Sequence, residues 1–89
     1  MYLDSIGQSI ALNDYVVYAK SNYARIAKVV GLVQHYGTAF YGEITLITVS
    51  RNKSYLRKFT FTGNKVWSLI RIDNPPITEV NIIEERLNK

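Results

Sequence analysis

Residues Tyr15–Gln34 constrain this chain more than any other stretch. They read Tyr-Val-Val-Tyr-Ala, then Lys-Ser-Asn-Tyr, then Ala-Arg-Ile-Ala-Lys-Val-Val-Gly-Leu-Val-Gln. β-Branched and aromatic residues suit a pleated surface, and two such runs about a short polar loop predict a long hairpin. In the first strand, Tyr15–Ala19, Val16 and Tyr18 share one face and Tyr15 and Val17 the other, so both faces need cover. That fits a small curled barrel better than an open, one-sided sheet. The loop Lys20–Tyr23 makes the hairpin tip basic and aromatic, with Arg25 just past it. In the second strand, Ala24–Gln34, alternation breaks at Val29-Val30 and Gly31 follows. A bend or bulge is expected there, since a missing Cβ lets the backbone coil.

The rest of the chain is read against that hairpin. Residues 4–14 are a lead-in with a short strand at Gln8–Leu12. Asn13-Asp14 then punctuates the chain, because both residues bond their own backbone and tolerate unusual φ. His35–Thr38 is a turn, and Phe40–Ser50 a strand with a second bend at Gly42. Ile44 and Leu46 share one face and Ile47 and Val49 the other, so the buried side switches midway. Arg51–Ser54 is a polar turn. In Tyr55–Thr62, Phe59 and Phe61 point inward and Lys58, Thr60 and Thr62 outward. Gly63-Asn64 fits a two-residue primed turn into a last strand, Lys65–Ile72. Asp73-Asn74-Pro75-Pro76 stops the sheet, since prolines donate nothing to a ladder. Beyond it, Val80, Ile83 and Leu87, widened by Ile82, form the stripe of a short amphipathic helix with an acidic start. Such a helix is marginal alone and must dock on the sheet or on another chain.

Eighty-nine residues make one domain, and without cysteine its fold rests on apolar burial. No apolar run approaches the roughly 20 residues that span a bilayer, so no membrane partner is expected. The N-terminal stretch Met1–Gln8 lacks a basic n-region and an apolar h-region, so the expected location is cytoplasmic. Charge is unevenly spread. Residues 15–72 carry nine basic side chains against Glu43 alone, a balance of +8, while the flanks 1–14 and 73–89 sum to −4. A basic centre with acidic ends points to one electropositive surface.

Leu12-Asn13-Asp14-Tyr15-Val16-Val17-Tyr18, a loop, and then Arg25-Ile26-Ala27-Lys28-Val29-Val30-Gly31-Leu32 resemble the opening of SH3-like small β-barrels of the KOW and Tudor kind. Those begin with a Gly-Asp-x-Val turn-strand and pass through a basic loop into a Gly-x-Val strand. Here Asn13 stands where the family usually has Gly, and Ala27 where a second Gly is common. The lead-in Ile6-Gly7-Gln8 resembles those of small bacteriophage proteins, which would place the molecule in a host cytoplasm. The resemblance covers the layout of residues 6–72. The expected architecture is mainly β: a single SH3-like barrel of five to six antiparallel strands over residues 1–76, with a C-terminal α-helix over 77–89.

Nothing in the chain reads as catalytic machinery. His35 is the sole histidine and has no cysteine to activate, and no serine sits in a Gly-x-Ser-x-Gly elbow. The carboxylates are scattered apart from Glu84-Glu85, and Gly31, Gly37 and Gly42 are too dispersed for a phosphate loop. A non-enzymatic protein without metal or cofactor is expected. Nucleic acid, DNA or RNA, is the leading partner. Lys and Arg bind polyanions by releasing counterions, and exposed aromatics stack on unpaired bases. Lys20, Tyr23, Arg25 and Lys28 would form one patch, and Arg51, Lys53, Tyr55, Arg57 and Lys58 a second. In SH3-like barrels such loops often share a rim, which the resemblance implies. Tyr15 and Tyr18 are expected to cap the core with hydroxyls in water. The rival is a protein-interaction module docking on an acidic host surface, or a homo-oligomer formed through the tail helix or a sheet edge. A Tudor-like cation cage around Tyr36, Phe40 and Tyr41 is disfavoured by the abundance of Lys and Arg.

Overall fold

The computed structural model describes residues 2–20, 23–34, 42–50, 55–62 and 69–88. Its elements are β1 (Tyr2–Leu3), β2 (Ser9–Ile10), β3 (Tyr15–Lys20), β4 (Tyr23–Gln34), β5 (Gly42–Val49), β6 (Leu56–Thr62), β7 (Leu69–Ile72) and α1 (Ile77–Leu87). β1 and β2 pair with each other, and the other five strands form one antiparallel sheet in the order β6-β5-β4-β3-β7. The architecture is thus mainly β with one short C-terminal helix. The expected strand Gln8–Leu12 shrinks to Ser9–Ile10, and β1 was not anticipated. The turns read at His35–Thr38, Arg51–Ser54 and Gly63-Asn64, and the start of the last strand at Lys65, lie outside the described residues.

Among the described residues the sheet is open, with β6 and β7 as its edges, and is not closed into the expected barrel. At β7 the outer edge is occupied. The Ser5 N–H donates to the Leu69 carbonyl at 2.8 Å. The Arg71 N–H donates to Asp4 Oδ2 at 2.7 Å, and the Gln8 side-chain amide donates to the Arg71 carbonyl at 3.1 Å. The N-terminal turn therefore takes the ladder positions that a closing strand would need. Covering an edge in this way also removes a template for unwanted strand pairing.

Both faces of the sheet are buried, as the Tyr15–Ala19 pattern requires. Val16, Tyr18, Ala27, Val29, Ile44, Leu46 and Leu69 pack on one face with Ile10, and Phe59 lies against Tyr18 with ring centroids 5.0 Å apart. Ile47 and Val49 pack on the other face with Ile83 of α1, so the switch within β5 serves two separate cores. β4 can supply both because its register slips. Val29 pairs with Leu46 and Gly31 with Thr45, leaving Val30 as the extra residue of a bulge. A Cβ on Gly31 would stand 3.1 Å from Thr45 Cβ, so any larger residue there would press on Thr45. The bulge is also held from outside. The Asn13 N–H donates to the Val29 carbonyl and the Val29 N–H to the Asp14 carbonyl, each at 2.8 Å. Asn13 adopts φ 74°, the left-handed conformation that Asn tolerates better than most residues.

α1 docks on its own sheet, against β5. Ile83 is fully buried, and Ile82 and Leu87 pack around it with Leu56, Tyr15 and Val30. Burying one such side chain contributes about 2–3 kcal/mol, enough to hold a helix too short to persist alone. Glu79 lies in its first turn and Arg86 in its last, each at the end that the helix dipole favours. No helix among the described residues is long and apolar enough to cross a membrane.

Candidate nucleic-acid interface

The antiparallel meander places the end of β3, the start of β4, the end of β5 and the start of β6 at one end of the sheet. Lys20 and Tyr23 close the β3–β4 ladder as a Cα pair, and the Ser50 N–H donates to the Tyr55 carbonyl across β5 and β6. The link between the two strand pairs is Arg25. The β4–β5 ladder runs only from Gln34–Gly42 to Lys28–Ile47. Past that point side chains bridge the two strands. Thr48 Oγ1 donates to the Ile26 carbonyl at 2.7 Å, and Arg25 Nη1 donates to the Val49 carbonyl at 3.0 Å. Both carbonyls would otherwise lack a strand partner in a buried setting, which is costly. Arg25 thereby ties the base of the first loop to the end of β5.

Strand alternation then sorts the site residues by face. Arg25 pairs with Tyr18 and shares its side of the sheet. Leu56 packs on the helix side, so Arg57, its neighbour in β6, points to the other side, with Arg25, and Tyr55 is the bend residue that precedes the strand. The ladder continues through the Ser50 N–H, which donates to the Tyr55 carbonyl at 2.8 Å, while the Tyr55 N–H donates to Ser50 Oγ at 3.2 Å. Tyr55 is 56% exposed, and Arg57 is exposed as well. Lys58 is exposed on the opposite face, in the row of Ile47 and Lys28. The side chains of Lys20 and Tyr23, and all of Arg51 and Lys53, lie outside what the structure describes.

Lys28 is set apart from this group. Its ammonium forms an ion pair with Glu84 on α1, and its side chain is only 12% exposed. The same carboxylate oxygen accepts from the Tyr15 hydroxyl at 2.6 Å, and the Lys28 ammonium sits 6.0 Å from the centre of the Tyr15 ring. Bonds from Lys28 and Tyr15 hold the Glu84 carboxyl below its ordinary pKa despite the opposing effect of burial. Burial, reinforced by the Glu84 charge, pushes the Tyr15 hydroxyl up. The Tyr15 hydroxyl is therefore committed to Glu84 rather than to water, and Tyr18 is buried beneath Phe59. Both rings are spent on the fold. Arg71 is likewise held, by Ser9, Gln8 and Asp73.

A polar cluster absent from the sequence reading lies at the other edge of the sheet. Asp4 is 6% exposed. Its Oδ1 accepts from the Ile6 and Gln8 N–H groups at 3.0 and 2.8 Å, and its Oδ2 from the Gln8 amide at 2.9 Å and the Arg71 N–H at 2.7 Å. Burial would raise its carboxyl, but these donors outweigh that and hold it below its ordinary value. The local signal was legible: an Asp followed by Gly7, at φ 84°, is the signature of a side-chain-capped turn. Among the described residues no three His, Asp or Glu side chains gather to hold a metal ion.

Comparison with protein families, curated proteins and solved structures finds no match for the chain.

Proposed function

We propose that this protein is a non-enzymatic nucleic-acid-binding module whose contact surface is the end of the sheet carrying Lys20, Tyr23, Arg25, Arg51, Lys53, Tyr55 and Arg57. The observation that carries this reading is the placement of Arg25 and Arg57 on one face of the sheet, with the exposed Tyr55 immediately before β6. Phosphates attract guanidinium and ammonium groups largely through counterion release, and an aromatic ring beside them offers a stacking surface. The layout is read as SH3-like. The return of the last strand beside the first of the five, in the order β6-β5-β4-β3-β7, supports that reading. Within the surface, Arg25 doubles as a bridge between strands, whereas Arg57 is free to contribute charge without a structural duty.

Fluorescence anisotropy with labelled DNA and RNA oligonucleotides tests the proposal. Affinity is expected to fall steeply between about 50 and 200 mM salt, and Arg57→Ala to reduce the salt slope by about 1. Lys28→Met, which alters a cation engaged under the helix, is expected to leave that slope unchanged. Equal indifference to DNA and RNA at low salt would dispose of the proposal.

A further inference from the structure

We infer that the ligand of this surface is single-stranded, with an unpaired base stacked on the Tyr55 ring and an adjacent phosphate on Arg57; the inference rests on the nucleic-acid reading above. Three tyrosines have described side chains on or beside the sheet, and their fates differ. Tyr15 is bonded to Glu84, Tyr18 is buried against Phe59, and Tyr55 presents its ring to solvent. That exposure is not the looseness of a loop tip. Both backbone polar groups of Tyr55 are tied to Ser50, through the 2.8 Å bond to its carbonyl and the 3.2 Å bond from its N–H. A ring anchored at its root and open at its face loses little freedom when a base stacks on it, which favours binding.

Arg57 lies two residues further along the chain, in β6, and is exposed. Two residues of chain span at most about 7 Å, close enough for one nucleotide to place its base on the ring and its phosphate at the guanidinium. A base inside a duplex has both faces covered by its neighbours, so the ring has nothing to stack on unless the pair opens. Stacking uses the π-face that every base shares, so weak sequence preference is expected. Lys58 projects from the other face and should contribute little.

The test uses the full chain and one fluorescein-labelled mixed-sequence oligonucleotide, as a single strand and as a blunt duplex. The single strand is expected to bind more tightly. Tyr55→Ala should weaken single-strand binding about 5- to 100-fold while leaving duplex binding and the thermal midpoint unchanged. Tyr55→Phe, which keeps the ring and loses the hydroxyl, should bind like the parent. Equal affinity for both forms, or indifference to Tyr55→Ala, overturns the inference while leaving the nucleic-acid reading in place. Failure of both forms to bind at low salt removes that reading and this inference with it.

Discussion

The ammonium of Lys28, in the middle of β4, is paired with the carboxylate of Glu84 on α1, 56 residues further along the chain. Tyr15 completes the contact from β3, directly opposite Lys28 in the ladder. An amphipathic stripe alone permits a helix to slide or rotate on a sheet. A charged bond to one defined position fixes its register. Removing one partner would leave the other charge poorly solvated. Glu84→Ala is therefore expected to lower stability by about 1–3 kcal/mol in urea unfolding, with an unchanged m-value. Lys28→Met should cost less than Glu84→Ala, because it replaces the cation with an apolar chain of similar length. A double-mutant cycle should show the two changes to be coupled.

Acid should act through the two engaged carboxylates. Asp4 and Glu84 both have folded pKa values below their ordinary ones of 3.8 and 4.5. A depressed carboxyl stabilises the fold above its unfolded pKa, and that contribution is lost as pH falls through the folded value. Stability is expected to be level down to about pH 5 and then to fall through the carboxylate range. Glu84→Gln should shallow that fall. Tyr15 works in the opposite sense: its raised pKa adds stability that disappears in strong alkali, and Tyr15→Phe should remove that alkaline loss. Thermal melts across the pH range measure all three.

Asp4 should tolerate no isostere. Each of its two oxygens accepts two hydrogen bonds, so the amide of Asp4→Asn would turn an NH2 group toward two donors. Both Asp4→Asn and Asp4→Ala are expected to cost about 2–3 kcal/mol. Both should also uncover the edge of β7, and concentration-dependent self-association in analytical ultracentrifugation would report it.

At the bulge, two positions call for opposite substitutions. Asn13 holds positive φ, so Asn13→Gly should be neutral or mildly stabilising, and Asn13→Val should cost about 1–2 kcal/mol. Gly31 has ordinary φ, and its restriction is the nearness of Thr45. Gly31→Val should therefore destabilise far more than Gly31→Ala in the same urea titration.

Much of the fold was legible because it is written in local alternation. The runs from Tyr15, Ala24 and Phe40 became β3, β4 and β5, and the break at Val29-Val30 became the bulge. Asn13 took the conformation for which a glycine is commonly used. The change of period after Pro76 became α1, beginning at Ile77. The opposite faces of Arg57 and Lys58 likewise follow from the period of two in β6.

Closure and charge partnership were decided elsewhere. No local pattern relates Asp4 to the backbone of Arg71, 67 residues away, yet that bond covers the outer edge of β7. Nor does any spacing tell Lys28, paired with Glu84 beneath α1, from Arg57, exposed on β6. The alternation of apolar and polar side chains determines which elements form and which faces they bury, since that depends on neighbours in the chain. Whether a cation meets a carboxylate or water depends on register and docking across the whole molecule, and only the tertiary structure decided it.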